Sequence, residues 1–274
     1  MPEQLKVTLN DGKVMPQFGL GVWQTPQDEA AVVVKTALDA GYLSLDTAAI
    51  YGNERGVGEG LKAAKADGVF VTTKLWNDRQ GFDSTLQAFD KSLARLEIDA
   101  VDLYLIHWPA PAKDLYLDSW KAMIQLKEEG RARSIGVSNF APEHLQRLID
   151  ETGVTPAVNQ IELHPSFQQK TLRALHEKHG IHTESWSPLG QGRQLEDPVV
   201  GKIAAKHGKS PAQIVIRWHL DSGLIVIPKS VTPSRIRENI AVFDFQFDAE
   251  DMAAIDGLDR TDGRIGPDPM TANF

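Results

Sequence analysis

Asp46-Thr47-Ala48-Ala49-Ile50-Tyr51-Gly52-Asn53-Glu54 is the stretch from which the fold is best read. It follows Tyr42-Leu43-Ser44-Leu45, whose alternation fits a half-buried strand. A carboxylate therefore stands where a strand stops, and a phenol follows in a Gly-Asn turn. Packing asks for neither. Loops held by a rigid scaffold are where chemistry is usually placed. Later strand ends carry polar groups of the same kind: Lys74, His107 and the pair Ser138-Asn139.

Outward from this stretch the chain has a rhythm. Short apolar strands are expected at 18–22, 42–45, 69–73, 101–106, 134–137, 157–161, 183–186 and 224–227. Helix-like stretches lie between them, among others at 28–40, 82–95, 116–129, 142–150, 169–179 and 198–207. Gly41, Gly130, Gly180 and Gly208 follow such stretches, where a left-handed cap is expected. Near the N-terminus, residues 5–9 and 13–15 flank Asn10-Asp11-Gly12, a hairpin turn signal. Eight strands alternating with helices give a parallel sheet with right-handed crossovers. Eight such units close into a barrel. The expected fold is therefore α/β, a (β/α)8 TIM barrel with an N-terminal β-hairpin, and one domain over 1–274.

The rival is an open doubly wound sheet, which usually carries a Gly-rich phosphate turn after its first strand. Gly19-Leu20-Gly21 lies within the first strand and lacks a third Gly at the right spacing. Gly56-Val57-Gly58-Glu59-Gly60 follows the second strand, also with the wrong spacing. No linker, low-complexity tract or repeat marks a second domain. In barrels the active groups sit at the C-terminal ends of strands. Asp46, Lys74, His107, Asn139, Gln160 and Trp186 all fall within a residue or two of such ends.

The chain has 274 residues, 29 of them basic and 37 acidic, for a net charge of −8. An acidic surface argues against nucleic acid as a partner. There are no cysteines, so no disulfide, thiolate metal site or Cys nucleophile is available. Met1-Pro2-Glu3-Gln4-Leu5-Lys6 lacks the apolar core of a signal peptide. No apolar run approaches a membrane span. A cytoplasmic, monomeric protein without membrane or nucleic-acid partners is expected.

Asp46, Tyr51, Lys74 and His107 make chemical sense together. A free Tyr titrates near about 10, too high for efficient proton exchange at neutral pH. A buried ammonium beside it favours the phenolate and lowers that value. The Asp holds the Lys charged, and the His polarises a carbonyl by a hydrogen bond. This is apparatus for protonating a developing alkoxide. It includes no covalent nucleophile and no metal cage, so the reductant must come from elsewhere.

Gly41-Tyr42-Leu43-Ser44-Leu45 together with the Asp46–Glu54 stretch resembles the signature of the aldo-keto reductases. So do Ile135-Gly136-Val137-Ser138-Asn139-Phe140 and Ile227-Pro228-Lys229-Ser230-Val231. The likeness runs from Leu9 to Pro269 with the motifs in family order. Thr73-Lys74-Leu75-Trp76-Asn77-Asp78, Asn159-Gln160-Ile161-Glu162-Leu163-His164-Pro165 and Trp186-Ser187-Pro188-Leu189 are similar to the bacterial 2,5-diketo-D-gluconate reductase branch. Leu43 stands where the family often has Arg, off the catalytic face.

The resemblance implies a barrel that reduces carbonyls with NADPH. It makes Tyr51 the proton donor, Lys74 and Asp46 its tuners, and His107 the polarising group. It assigns the nicotinamide amide to Ser138, Asn139 and Gln160, with Trp186 under the ring and Gly21, Trp23 and Asp46 nearby. Ser187, Leu189, Gln191 and Gly192 cover the pyrophosphate. Pro228, Lys229, Ser230, Val231 and Arg235 match the 2′-phosphate segment, and Glu238 and Asn239 the adenine contacts. Two cations and a hydroxyl are also what a phosphate requires on physical grounds. An NAD site would instead usually present a carboxylate to the ribose. Trp23, Ile50, Tyr51, Trp76, His107 and Trp108 line the substrate mouth. The short tail after Pro267 implies an open, tolerant pocket. Methylglyoxal, 2,5-diketo-D-gluconate and other small carbonyls are the expected substrates.

Singly, each residue has a plainer reading: Asp46 as a turn-former, Tyr51 as a boundary aromatic, Lys74 as half of an ion pair, His107 as a core histidine. Trp120 and Trp218 read as core aromatics. His176, His179 and His182 read as a solvated helix end rather than a metal site. Two rival functions remain at this level: a metal-dependent hydrolase built on Asp46 and His107, and a non-catalytic barrel that only binds NADPH. The first lacks further His at strand ends, and the second has no need of all four groups.

Overall fold

Residues 4–65, 67–272 and 274 are described by the computed structural model. Asn10-Asp11-Gly12 turns the chain as its composition requires, with β1 (Lys6–Thr8) antiparallel to β2 (Val14–Pro16). Leu9 and Met15 from this hairpin pack with Phe70, Leu103, Leu105, Val158 and Ile225. Phe70, Val158 and Ile225 begin or nearly begin their strands, so the hairpin plugs the N-terminal end of the barrel.

The chain then alternates strand and helix: β3 (Leu20–Gly21), α1 (Gln27–Asp39), β4 (Ser44–Asp46), α2 (Glu54–Ala64), β5 (Phe70–Leu75), α3 (Phe82–Leu96), β6 (Val101–Ile106), α4 (Tyr116–Glu128), β7 (Ala132–Ser138), α5 (Pro142–Thr152), β8 (Val158–Glu162), α6 (Lys170–His179) and β9 (His182–Trp186). It ends with α7 (Pro198–His207), α8 (Pro211–Asp221), β10 (Ile225–Val226), α9 (Pro233–Ile240) and α10 (Ala249–Asp256). β3 to β10 pair in chain order, every pair parallel.

The first strand meets the last through backbone bonds. Gly19 N–H donates to Val226 C=O at 3.0 Å, and Val226 N–H donates to Gln17 C=O at 2.9 Å. A side chain at Gly21 would place its Cβ 2.9 Å from the Ile227 carbonyl, so glycine is what permits this approach. The seam is made of isolated bridges rather than a long ladder, which is why β3 and β10 are shorter than the sequence suggests.

Gly56, Gly58 and Gly60 do not form a phosphate turn. They lie inside α2, where a Cβ at Gly58 would come within 2.3 Å of the Leu96 carbonyl. Glycine costs a helix about 1 kcal/mol per residue relative to alanine. Here it lets α2 nest against α1 and the end of α3.

Trp120 and Trp218 are fully buried, as their helical spacing indicates. His176 corrects the expectation of a solvated helix end. It is buried, with Nε2 at 2.9 Å from Asn159 Nδ2 and Nδ1 at 2.8 Å from Thr183 Oγ1. Burial pushes its pKa down to about 4. Among the described residues, no helix is long and apolar enough to cross a membrane.

Candidate active site

Strand register places the first two groups. Ser44, Leu45 and Asp46 of β4 lie opposite Phe70, Val71 and Thr72 of β5, which sets Lys74 just beyond Asp46. Lys74 Nζ donates to Asp46 Oδ1 at 2.5 Å and to the Thr47 carbonyl at 3.0 Å. Lys74 is 0% exposed. Lysine is almost never buried without such a partner. Tyr51 ends a 3-10 turn, Ala49–Tyr51, which Gly52 closes at a φ of 68°. Lys74 Nζ lies 5.3 Å from the centre of the Tyr51 ring. His107 follows β6, its ring 5.6 Å from that of Tyr51 and 5.1 Å from that of Trp76, edge to face in both cases.

Burial raises the Tyr51 pKa, and the Lys74 ammonium works against that rise without cancelling it. The sequence reading foresees the lowering influence of Lys74; the net direction is upward because the phenol is buried. Burial also works to discharge Lys74, but Asp46 and Tyr51 outweigh it and its pKa is raised. His107 is held well below the ordinary histidine value by burial and by the Lys74 charge. At neutral pH the site therefore presents a protonated phenol, an ammonium and a neutral imidazole. His107 Nδ1 is buried without a hydrogen-bond partner among the described residues.

A second set of groups is tied together across β7, β8 and β9. Asn139 adopts a left-handed φ of 63°. Its Nδ2 donates to the His107 carbonyl at 3.0 Å, and its Oδ1 accepts the Trp186 indole N–H at 2.8 Å. Ser138 Oγ donates to the Gln160 carbonyl of the backbone at 2.8 Å. Gln160 Nε2 donates to Asp46 Oδ2 and to Glu184 Oε2, each at 2.8 Å. Burial and the Asp46 charge push the Glu184 carboxyl up to about 8, against the pull of the Gln160 amide and Lys74.

These groups surround a cavity of about 590 Å³. Asp46, Tyr51 and His107 line it together with Trp23, Ile50, Trp76 and Trp108. Ser138, Asn139, Gln160 and Trp186 line it from the later strands, and Gly21, Ser187, Gln191 and Lys229 border it. The remaining expected residues lie outside its lining. Leu189 and Gly192 belong to the turn around Gly190–Glu196, Pro228, Ser230 and Val231 to the loop after β10, and Arg235, Glu238 and Asn239 to α9.

Some lining residues escape the sequence reading. Gln24, Ile227, Ile265, Gly266 and Pro267 also face the cavity. Glu162 holds the tail there by accepting the N–H groups of Ile265 at 2.5 Å and Gly266 at 2.8 Å. The tail does not leave the mouth open as its shortness suggests. Phe274 stacks on Trp76 at 5.8 Å and meets Trp108 edge-on at 5.2 Å, and its carbonyl accepts from Asn77 Nδ2 at 2.9 Å. Glu162 and Glu184 do carry a sequence signal: each is a charged residue inside a strand of a sheet covered on both faces, where ionisable groups need partners.

The aldo/keto reductase family model matches residues 15–260. The methylglyoxal reductase DkgA of Yersinia pestis is 57% identical over 273 residues, covering 98% of each chain. The crystal structure of Gox0644 in its apo form is 60% identical, with a TM-score of 0.97 over 99% of this chain and 100% of that one. A mutant of Gox0644 crystallised in complex with NADPH is 59% identical, with the same TM-score and coverage.

Proposed function

The chain belongs to the aldo/keto reductase family, and we propose that it reduces small aldehydes and dicarbonyls, methylglyoxal first among them, with Tyr51 as the proton donor. It is an NADPH-dependent oxidoreductase. The observation that carries the reading is the Tyr51 phenol in an aromatic cavity, beside the buried Lys74–Asp46 pair.

The residues present suit NADPH. Trp186 offers a flat face whose indole is pinned by Asn139. The side-chain carbonyl of Gln160 accepts no hydrogen bond among the described residues, so it is free for an amide N–H. Lys229 and Arg235 form no ion pair among the described residues, and Ser230 stands between them in sequence. That is a suitable set for a phosphate. When bound, NADPH supplies the hydride that no side chain of the protein can give.

The remaining steps belong to the chain. A carbonyl oxygen entering between Tyr51 and His107 accepts a hydrogen bond from the neutral imidazole. That bond polarises the carbonyl without adding a second cation to a site that already holds Lys74. As negative charge grows on this oxygen, Tyr51 gives up its phenolic proton to it and the product leaves as an alcohol. Lys74 stabilises the phenolate that remains, and Asp46 keeps Lys74 charged and aimed. Trp23, Ile50, Trp76 and Trp108 exclude water and give an apolar substrate wall with few polar anchors.

Methylglyoxal is put first because relatives of this identity carry it in their name. 2,5-Diketo-D-gluconate is the second substrate proposed, with other small dicarbonyls and aromatic aldehydes behind it. The test is nicotinamide absorbance with NADPH and each carbonyl in turn, with NADH in parallel. Oxidation that needs the carbonyl and prefers NADPH is expected. Tight NADPH binding without oxidation by any small carbonyl would overturn the substrate class and favour a barrel that only binds the nucleotide.

A further inference from the structure

We propose that Glu184 is a positioning residue: with Asp46 it occupies both amide hydrogens of Gln160, and so presents the Gln160 carbonyl oxygen to the cavity as an acceptor reserved for a primary amide. The inference rests on the NADPH reading, because the nicotinamide is what carries such an amide.

Gln160 and Glu184 are register partners on β8 and β9. A side-chain amide has two N–H donors and one carbonyl. Both donors of Gln160 are spent, one on Asp46 Oδ2 and one on Glu184 Oε2, each at 2.8 Å. Flipping the amide would set its oxygen against Asp46 Oδ2, lone pair against lone pair, so Asp46 fixes the orientation while Glu184 takes up the second N–H. Among the described residues, Gln160 is the only hydrogen-bond partner of the Glu184 side chain, whose Oε1 is buried without one. A buried carboxyl is costly unless it is paired, and a packing role would be met by any apolar residue of similar size. The catalytic groups do not use Glu184 directly. It touches neither Tyr51 nor His107 by a hydrogen bond and acts through Gln160.

The lock has a chemical consequence. Gln160 can accept from a carboxamide N–H but has nothing to donate. A cofactor analogue with an acetyl group in place of the carboxamide has no N–H to give, and the wild-type protein should bind it more weakly.

Equilibrium binding of NADP and of its 3-acetylpyridine analogue, followed by tryptophan quenching, tests this. The wild-type protein is expected to prefer NADP by about three- to tenfold, the value of one hydrogen bond. Glu184→Met keeps the volume but not the acceptor and should bring the ratio close to one. Glu184→Thr serves the same purpose should the methionine variant not fold. Glu184→Gln, whose side-chain oxygen again accepts from Gln160, should restore the preference. An unchanged ratio in the methionine or threonine variant, whether both affinities hold or fall together, overturns the assignment. Failure of the wild-type protein to bind NADP at all would instead remove the cofactor reading, and this inference with it.

Discussion

Thr73 and Lys74 are neighbours on β5, and alternation sends their side chains to opposite faces of the sheet. Each feeds a buried charged network. Outside the barrel, Thr73 Oγ1 donates to Glu54 Oε1 at 2.6 Å, while Arg95 donates to Glu54 Oε2 at 2.6 Å. Inside, Lys74 donates to Asp46, and Gln160 donates both to Asp46 and to Glu184. The outer network is saturated, since both oxygens of Glu54 have partners. The inner one is not: Glu184 Oε1 and His107 Nδ1 are buried and unpartnered. Native proteins leave few buried polar atoms unpaired, and those they leave call for an explanation. The outer pair fastens α2 and α3 to the sheet. The inner set keeps polar capacity for something that arrives.

Removing one member of each network should break the comparison or confirm it. The largest effect is expected from Lys74→Met. It strips the buried Asp46 of its cationic partner, at a cost of about 3–5 kcal/mol in urea unfolding. It should also lower turnover. A variant with wild-type stability and an unaltered pH profile would show that Lys74 neither holds nor tunes the site. Tyr51→Phe comes next. It deletes one oxygen from the cavity wall and leaves both networks in place. Turnover should fall about 10²- to 10⁴-fold, the range of general acid catalysis, with NADPH affinity and melting temperature nearly unchanged. Retained turnover would remove Tyr51 as the donor.

The inner network was largely legible in the sequence because its parts close strands. Asp46, Lys74 and His107 each stand at the end of an apolar run, and a barrel gathers such ends. α7 was legible for a different reason. Its limits are set locally by Pro198 at the start, where Asp197 Oδ1 accepts the Val199 N–H at 2.8 Å, and by Gly208 at the end. α2 was not legible, because its glycines make sense only against Leu96 and Ala30, which are remote in sequence. The placement of Phe274 is hidden for the same reason, since a chain end has no period and its partners are Trp76 and Trp108. Gln160 was read as a polar group at a strand end, but its partner Glu184 was not, because only the register of β8 and β9 brings the two together.

Two neutralising substitutions sharpen the contrast between saturated and unsaturated carboxyls. Glu184 has a pKa of about 8 in the folded protein, raised by burial above the ordinary 4.5. The folded state therefore holds its proton over a range where the unfolded chain releases it. Stability falls as pH rises from about 4.5 through about 8, and more protons bound in the folded state give that sign. Glu184→Gln removes the loss. It should match wild type near pH 5 and exceed it at pH 8 by on the order of 1–3 kcal/mol, since one pKa unit is about 1.4 kcal/mol. Glu54→Gln should do the opposite. It weakens a charge-assisted bond to Arg95, so it should destabilise by about 1–3 kcal/mol while kcat stays the same. Parallel behaviour of the two variants would erase the distinction between the networks.

The same criterion extends to a third region, with the smallest expected effect. Lys229 borders the cavity, and Arg235 lies on the exposed face of α9, six residues later. Most other arginines here are tied to carboxylates, among them Arg95, Arg131, Arg147 and Arg217. Arg235 has no such partner among the described residues, so its removal should cost the fold nothing. An exposed cation that serves no internal pair is free to meet a phosphate, and NADPH carries one that NADH lacks. Arg235→Ala should weaken NADPH by about tenfold, or about 1.4 kcal/mol, and NADH by less than about twofold. Raising the salt concentration should narrow the NADPH preference of the wild-type protein more than that of the variant, because exposed charge pairs are screened. Equal losses for the two nucleotides would show that α9 supports the loop after β10 without reading the phosphate. An unpaired cation would then not mark a binding site here, and the inference from unpaired groups would hold only for the buried ones.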